Sequence, residues 1–215
     1  MEVPTLQRGG RYRRDKSVTY IYDIFSKKLT EVAPFTVDLL LPSGAENLNY
    51  VLYTDESPYK MQREWLDRLP FDIYSVNVHT GAKRLIGRSY RTAPKWSVNG
   101  KWAVMYDPIA QVWNKFDGAT GKVVNISDAI GYPMFMESYD KPAPAPAYGI
   151  AGWTADGNNV FLYDAYDWWK IDLTGERQPE CLTKGYGRKH GKSIRKMTSN
   201  ICLLYTSPSP RDYAA

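Results

Sequence analysis

The residues able to do chemistry in this chain are few and scattered. Its 215 residues include two histidines, His79 and His190, and two cysteines, Cys181 and Cys202. Neither histidine has a partner at metal-ligand spacing, so no metal is expected, and two isolated cysteines fit neither a disulfide framework nor a zinc site. No Gly-x-Ser-x-Gly nucleophile elbow occurs, and with His79 inside a predicted turn a Ser-His-Asp triad within this chain is not expected. DGATGKV (117–123) has the glycines and lysine of a phosphate loop. Two residues separate its glycines where four are needed, however, and no Ser or Thr follows Lys122. TADGNN (154–159) opens like a calcium loop but lacks the remaining ligands, including the glutamate at the twelfth position. No cofactor is expected. The carboxylates best placed for a role are Glu64 with Asp67 and Glu137 with Asp140, each pair in a long polar connection where it could contact a substrate. Taken singly, each is an ordinary solvated charge.

Composition constrains the scaffold that would hold such groups. The chain is 43% hydrophobic and 24% charged, within the globular range, and it carries 17 Tyr and 7 Trp. Aromatic side chains favour pleated, half-buried surfaces, which points to an all-β fold. No run approaches the length of a membrane span; VDLLLP (37–42) is strand-sized. No signal peptide is visible. The net charge of +5 is concentrated in RGGRYRRDK (8–16) and KGYGRKHGKSIRK (184–196), both read as connecting segments. Basic residues interleaved with tyrosine can track a nucleic-acid backbone, but solvated loops on a mildly basic protein explain the same pattern, and no nucleic-acid partner is expected.

Self-similarity organises the chain. YIYDIFSKKLTEV (20–32), IYSVNVHTGAKRLI (73–86), VWNKFDGATGKVVNI (112–126) and WWKIDLTGERQPECL (168–182) each read as alternating strand, tight turn, alternating strand. Three of the turns carry Thr-Gly, with Gly121 and Gly175 in the last two. A second hairpin precedes the last two. PKWSVNGKWAVMYD (94–107) aligns with AGWTADGNNVFLYD (151–164), matching Trp96 with Trp153 and Gly100 with Gly157, and DLLLPSGAENLNYVLYTD (38–55) is a looser version. These units recur at 40 to 54 residues, measured between the Thr or Ser positions of the turns.

Four-stranded units at this period predict an all-β partial β-propeller of about three and a half antiparallel blades. A β-sandwich built from short hairpins is the alternative, made less fitting by the repeated Trp before the first turn and Thr-Gly at the second. The expected layout is a basic N-terminal segment at 1–17, then the partial propeller over 18–201. Within it lie a half blade at 18–33, blades at about 36–88, 92–127 and 148–183, and the start of another at 184–201. With strands named A to D from the axis outward, the A–B and C–D turns lie on one face and the B–C and D-to-A connections on the other. The long connections, 55–70 and 128–147, both belong to the second face. Elaborated loops are where binding tends to reside, so that face is the expected functional one.

The run YGIAGWTADGNNVFLYDAYDWWKIDLTGERQPECLTKGYGRKHG (148–191), with SYDKPAPAPA before it, resembles the N-terminal propeller of bacterial prolyl oligopeptidase-family serine peptidases, nearest to the Bacteroidetes-type branch with dipeptidyl-peptidase-like propellers. The likeness covers roughly residues 18–197. The blade hairpins are weakly specific; the Pro/Ala insertion followed by YGIAGWT and LYDAYDWW is more so. The resemblance implies a parent whose C-terminal α/β-hydrolase domain supplies the catalytic residues, with the propeller gating peptide substrates, and a periplasmic or secreted location. No catalytic residue transfers to a position here. The alternatives are a non-catalytic propeller serving as a protein- or glycan-binding scaffold and a propeller from another enzyme class, such as a glycan-acting one. Finally, CLLYTSPSPRD (202–212) matches, in one frame, the translation of a transposase adapter used in preparing sequencing libraries. Residues 202–215 are accordingly expected to be foreign, with the natural protein continuing past about Ile201.

Overall fold

The computed structural model describes residues 18–34, 38–40, 49–66 and 68–196. A two-stranded hairpin of β1 (Thr19–Asp23) and β2 (Lys28–Ala33) comes first. Three four-stranded antiparallel sheets follow, each a simple meander. The first contains β3 (Asp38–Leu40), β4 (Tyr50–Asp55), β5 (Phe71–Asn77) and β6 (Lys83–Tyr90); the second β7 (Lys95–Trp96), β8 (Trp102–Asp107), β9 (Val112–Asp117) and β10 (Val123–Asn125). The third contains β11 (Ile150–Trp153), β12 (Asn159–Tyr163), β13 (Trp168–Asp172) and β14 (Glu180–Cys181). Among the described residues the helical pieces are a 3-10 helix, Ser57–Glu64, between β4 and β5, and α1, Tyr186–His190, after β14. The chain is an all-β partial β-propeller.

Strand periodicity explains how the sheets stack. Successive side chains of a strand point to opposite faces. In β8, Ala103 and Met105 enter a core shared with the preceding sheet, with Leu52, Ile73 and Phe116. The intervening Val104 and Tyr106 enter a core shared with the following sheet, with Val160, Leu162 and Ile171. In β4, likewise, Val51 and Tyr53 pack with Val32 and Val76 against the first hairpin, while Leu52 faces the other way. The first two four-stranded sheets are thus buried through strands with apolar residues on both faces, the third contributes one face, and one core lies between each consecutive pair of sheets. This is blade-on-blade packing.

Two kinds of turn recur because one local device builds each. At every C–D turn the last residue of strand C, an Asp or Asn, accepts backbone N–H bonds from residues two and three or more ahead. Asp23 takes Phe25 and Ser26, Asn77 takes His79 and Thr80, Asp117 takes Ala119 and Thr120, and Asp172 takes Thr174, Glu176 and Arg177. At the A–B turns, Asn99 Oδ1 accepts the Ser97 hydroxyl and the Lys101 N–H; Asp156 Oδ1 accepts the Thr154 hydroxyl and the Asn158 N–H. The turns also lock one blade to the next. Asn99 Nδ2 donates to the Asp156 carbonyl at 2.7 Å, and a Cβ built on Gly157, whose φ is +69°, would lie 2.6 Å from the Asn99 side chain. Glycine there serves both the backbone angle and the blade contact.

The matched tryptophans sit at equivalent register, Trp96 opposite Ala103 and Trp153 opposite Val160. Trp96 packs edge-on against Phe116 at 6.1 Å and donates its indole N–H to the Leu40 carbonyl of the preceding blade. Trp153 packs against the core between the last two sheets. Residues 184–196, read from sequence as a connecting segment, contain α1. Gly185 and Gly191 bound it in left-handed conformations, and the Asp167 carboxylate accepts the N–H groups of Gly187 and Arg188. Residues 1–17 and 197–215, with Cys202 and the adapter-like tail, lie outside the described residues.

Candidate functional site

A four-stranded meander places its B–C connection and the link to the next blade at the same end. The site assembles there, around the B–C loop of blade four (148–183), the half blade at 18–33 being blade one. Asp164 closes β12 and shapes the loop: its Oδ1 accepts the N–H of Tyr166 and of Asp167. Asp107 does the same at the end of β8, for Ile109 and Ala110, and Asp55 does so for Ser57. The repeat thus supplies an Asp at every described B–C loop, and blade four elaborates it. Asp164 is fully buried, and its Oδ2 accepts the Trp169 indole N–H at 3.0 Å and an Arg188 N–H at 3.4 Å.

Arg188, from α1, ties three connections together. Its NH2 group bonds Asp164 and Glu137, both at 3.4 Å, and its guanidinium lies 4.2 Å from the Tyr132 ring centroid and 5.0 Å from that of Tyr166. Glu137 and Tyr132 come from the long D-to-A connection, Tyr166 from the B–C loop. Asp167, also buried, anchors the helix that carries Arg188: it accepts the Thr183 hydroxyl and the Gly187 and Arg188 backbone N–H groups. Burial by itself pushes the Asp167 carboxyl up. The three hydrogen bonds and the nearby Arg188 charge outweigh that and hold it below its ordinary 3.8. Burial opposes the Arg188 charge in the same way, and the Asp164 and Glu137 carboxylates more than offset it, raising the guanidinium further.

A second arginine braces the same loop. Arg195 donates to the Asp164 and Ala165 carbonyls and lies 4.7 Å from the Tyr163 ring and 5.5 Å from that of Tyr148. Beside Arg188 opens a cavity of about 440 Å³ whose wall includes Tyr132, Asp167, Trp169, Lys184, Arg188 and Lys189.

Of the carboxylates singled out from sequence, Glu137 is in this cluster. Asp140 is exposed in the same connection, Glu64 is exposed at the end of the 3-10 helix in the blade-two insertion, and Asp67 lies outside the described residues. His79 occupies a C–D turn at the opposite end, its Nε2 3.2 Å from Asn49 Oδ1, and His190 stacks on Tyr186 with ring centroids 4.1 Å apart. Cys181 Sγ accepts the Gly185 N–H at 3.3 Å. Sequence reasoning missed Asp164, Asp167 and Arg188. The signal was present in DAYD (164–167): the first Asp is a repeat position, and the second has no counterpart in DPIA (107–110).

No protein-family model matches the chain, and no curated protein sequence matches it. Among solved structures it is similar to TolB from Acinetobacter baumannii, at 15% identity and a TM-score of 0.36, over 76% of this chain and 36% of that one. The β-propeller domain of the Trilobed protease from Pyrococcus furiosus, described as having an open velcro topology, matches at 15% identity and a TM-score of 0.35, over 67% of this chain and 42% of that one. A protein of unknown function from Bacteroides thetaiotaomicron matches at 17% identity and a TM-score of 0.32, over 79% and 39%. The chain spans less than half the length of each. The propeller assignment stands on the sheet order and the cores between blades.

Proposed function

We propose that this chain is the substrate-gating and docking propeller of a prolyl oligopeptidase-family serine peptidase, whose hydrolase domain belongs to the same parent chain and sits over the loop face described above. The observation that carries this reading is the asymmetry of the two faces. Long connections gather on one of them, and the 55–70 connection presents Trp65, 75% exposed, and Met61, 64% exposed, to solvent; Ile109 in a short B–C loop of the same face is also exposed, as are Ile24 and Phe25 in a C–D turn at the other end. Aromatic and Met side chains of this kind are enriched at the centres of protein interfaces. The DAYD loop and the Pro/Ala-containing connection, on which the family resemblance rests, belong to the same face.

The test begins with the source DNA. The reading frame beyond codon 201 should encode a strand followed by Gly-x-Ser-x-Gly and then Asp and His in that order. The complete protein should hydrolyse short peptides, label with a fluorophosphonate, and reject folded proteins. The chain by itself should not hydrolyse Ala-Pro or Gly-Pro chromogenic dipeptides. A complete reading frame without a hydrolase domain would replace this proposal with a binding scaffold.

A further inference from the structure

The geometry points to the cavity beside Arg188 as a binding site for a carboxylate carried on a flat apolar body. Its volume of about 440 Å³ suits a small ligand. Two aromatic walls face it. The Trp169 indole is fixed by its hydrogen bond to buried Asp164, and the half-exposed Tyr132 ring stands 6.1 Å away, tilted by 47°. The exposed part of the Tyr132 ring offers an apolar contact for a planar group, with buried Trp169 beside it.

The polar part of the wall favours an anion. Lys184 and Lys189 line the cavity, and neither forms an ion pair among the described residues. Arg188 Nε is a buried donor without an acceptor among the described residues, although its NH2 group serves two carboxylates. The one acid in the wall, Asp167, already accepts three hydrogen bonds across both its oxygens. An arriving carboxylate therefore meets two ammonium groups beside the Arg188 guanidinium, and the one carboxylate in the wall is already engaged in three hydrogen bonds. Two sources share this chemistry: a small aromatic acid, and the C-terminal residue of a peptide that ends in an aromatic side chain. The inference concerns this cavity alone and does not depend on a peptidase parent.

Calorimetric titration with four probes tests it: indole-3-acetate, its neutral amide, N-acetyl-glycyl-phenylalanine and the amide of that peptide. At least one acid should bind, and its amide should bind at least about tenfold more weakly, as expected when a charged hydrogen-bond partner is removed. Binding confined to indole-3-acetate assigns a small acid; comparable binding of the peptide acid assigns a C-terminus. The Lys184→Gln/Lys189→Gln variant should erase the preference for acid over amide, and Tyr132→Leu should weaken both. These side chains are exposed, and thermal melts of the variants check the fold. Arg188 is left intact, because its loss would strand buried Asp164. Acid and amide binding equally, no binding of either acid at millimolar concentration, or a preference that survives in the lysine double variant would each overturn the assignment.

Discussion

The two ends of the sheets are built on different principles. At the end that carries the A–B and C–D turns, the described turns repeat one local solution: a side-chain oxygen collects the next free N–H groups. At the other end the Asp that closes strand B uses the same device, but what is built beyond it differs from blade to blade. In blade three that Asp, Asp107, bonds two backbone amides and, at 3.3 Å, the Tyr90 hydroxyl of the preceding blade. In blade four the equivalent Asp164 is fully buried and bonded to a cation delivered from α1. The comparison shows how a repeat can keep its architecture at one end while the other end gathers chemistry from loops of unrelated sequence.

The largest test of that contrast is Asp164→Ala. It leaves Arg188 short of one carboxylate and the buried Trp169 N–H without an acceptor, which should cost about 3–5 kcal/mol by urea unfolding. At the turn end, Gly157→Ala demands a left-handed backbone from a residue with a Cβ and drives that Cβ into Asn99. It should cost about 1–3 kcal/mol. Asp107→Ala removes the same repeat position as Asp164 without stranding a cation, and should cost about 1–2 kcal/mol. If Asp107→Ala and Asp164→Ala prove equal, the ion cluster adds nothing to the repeat device and the contrast between the ends fails.

Acid acts on carboxylates at both ends. The folded-state pKa of Asp167 lies below its ordinary 3.8, so its contribution to stability is complete above 3.8 and is lost as pH falls through the lower folded value. Thermal melts between about pH 5 and pH 2 should fall steeply for the wild type. They should fall less steeply for Asp167→Asn. The residual slope should remain, because Asp172, in a C–D turn, is also held low: burial raises it, but the Thr174 hydroxyl and the Thr174, Glu176 and Arg177 amides outweigh that. An identical acid slope in the variant would remove Asp167 from the account. The smallest effect is expected at Trp65. Trp65→Ser should change stability by less than about 0.5 kcal/mol, since the side chain is 75% exposed, while weakening association with the hydrolase domain proposed to dock on the loop face. A large loss of stability would make Trp65 a packing residue.

Much of the architecture could be read before any coordinates. Alternation in WAVMYD and NVFLYD, the Ser/Thr-x-Asn/Asp-Gly turns and the Thr-Gly turns are local patterns, and local patterns register directly in sequence because strand pleat and turn angles act within a few residues. The Asp or Asn opening each C–D turn, two to three residues before the Thr of the three Thr-Gly turns, was equally local and went unread, masked by the more conspicuous glycine. Glu137 was singled out for its place in a long connection and does join the cluster. Its role as a partner of Arg188 could not be seen, because the two are separated by 51 residues.

What the sequence determined by itself, then, is the repeat: strand periodicity and turn chemistry together require hairpins of this length, and apolar residues on both faces of strands such as β8 require that sheet to be covered on each side. What tertiary structure decided is the site. Arg188 lies 24 residues from Asp164 and meets it only because α1 folds back over the blade-four loop, held there by Asp167. No periodicity encodes such an encounter. It depends on where loops of different blades end up once the sheets have stacked, and on the free-energy cost of burying Asp164 without a charged partner.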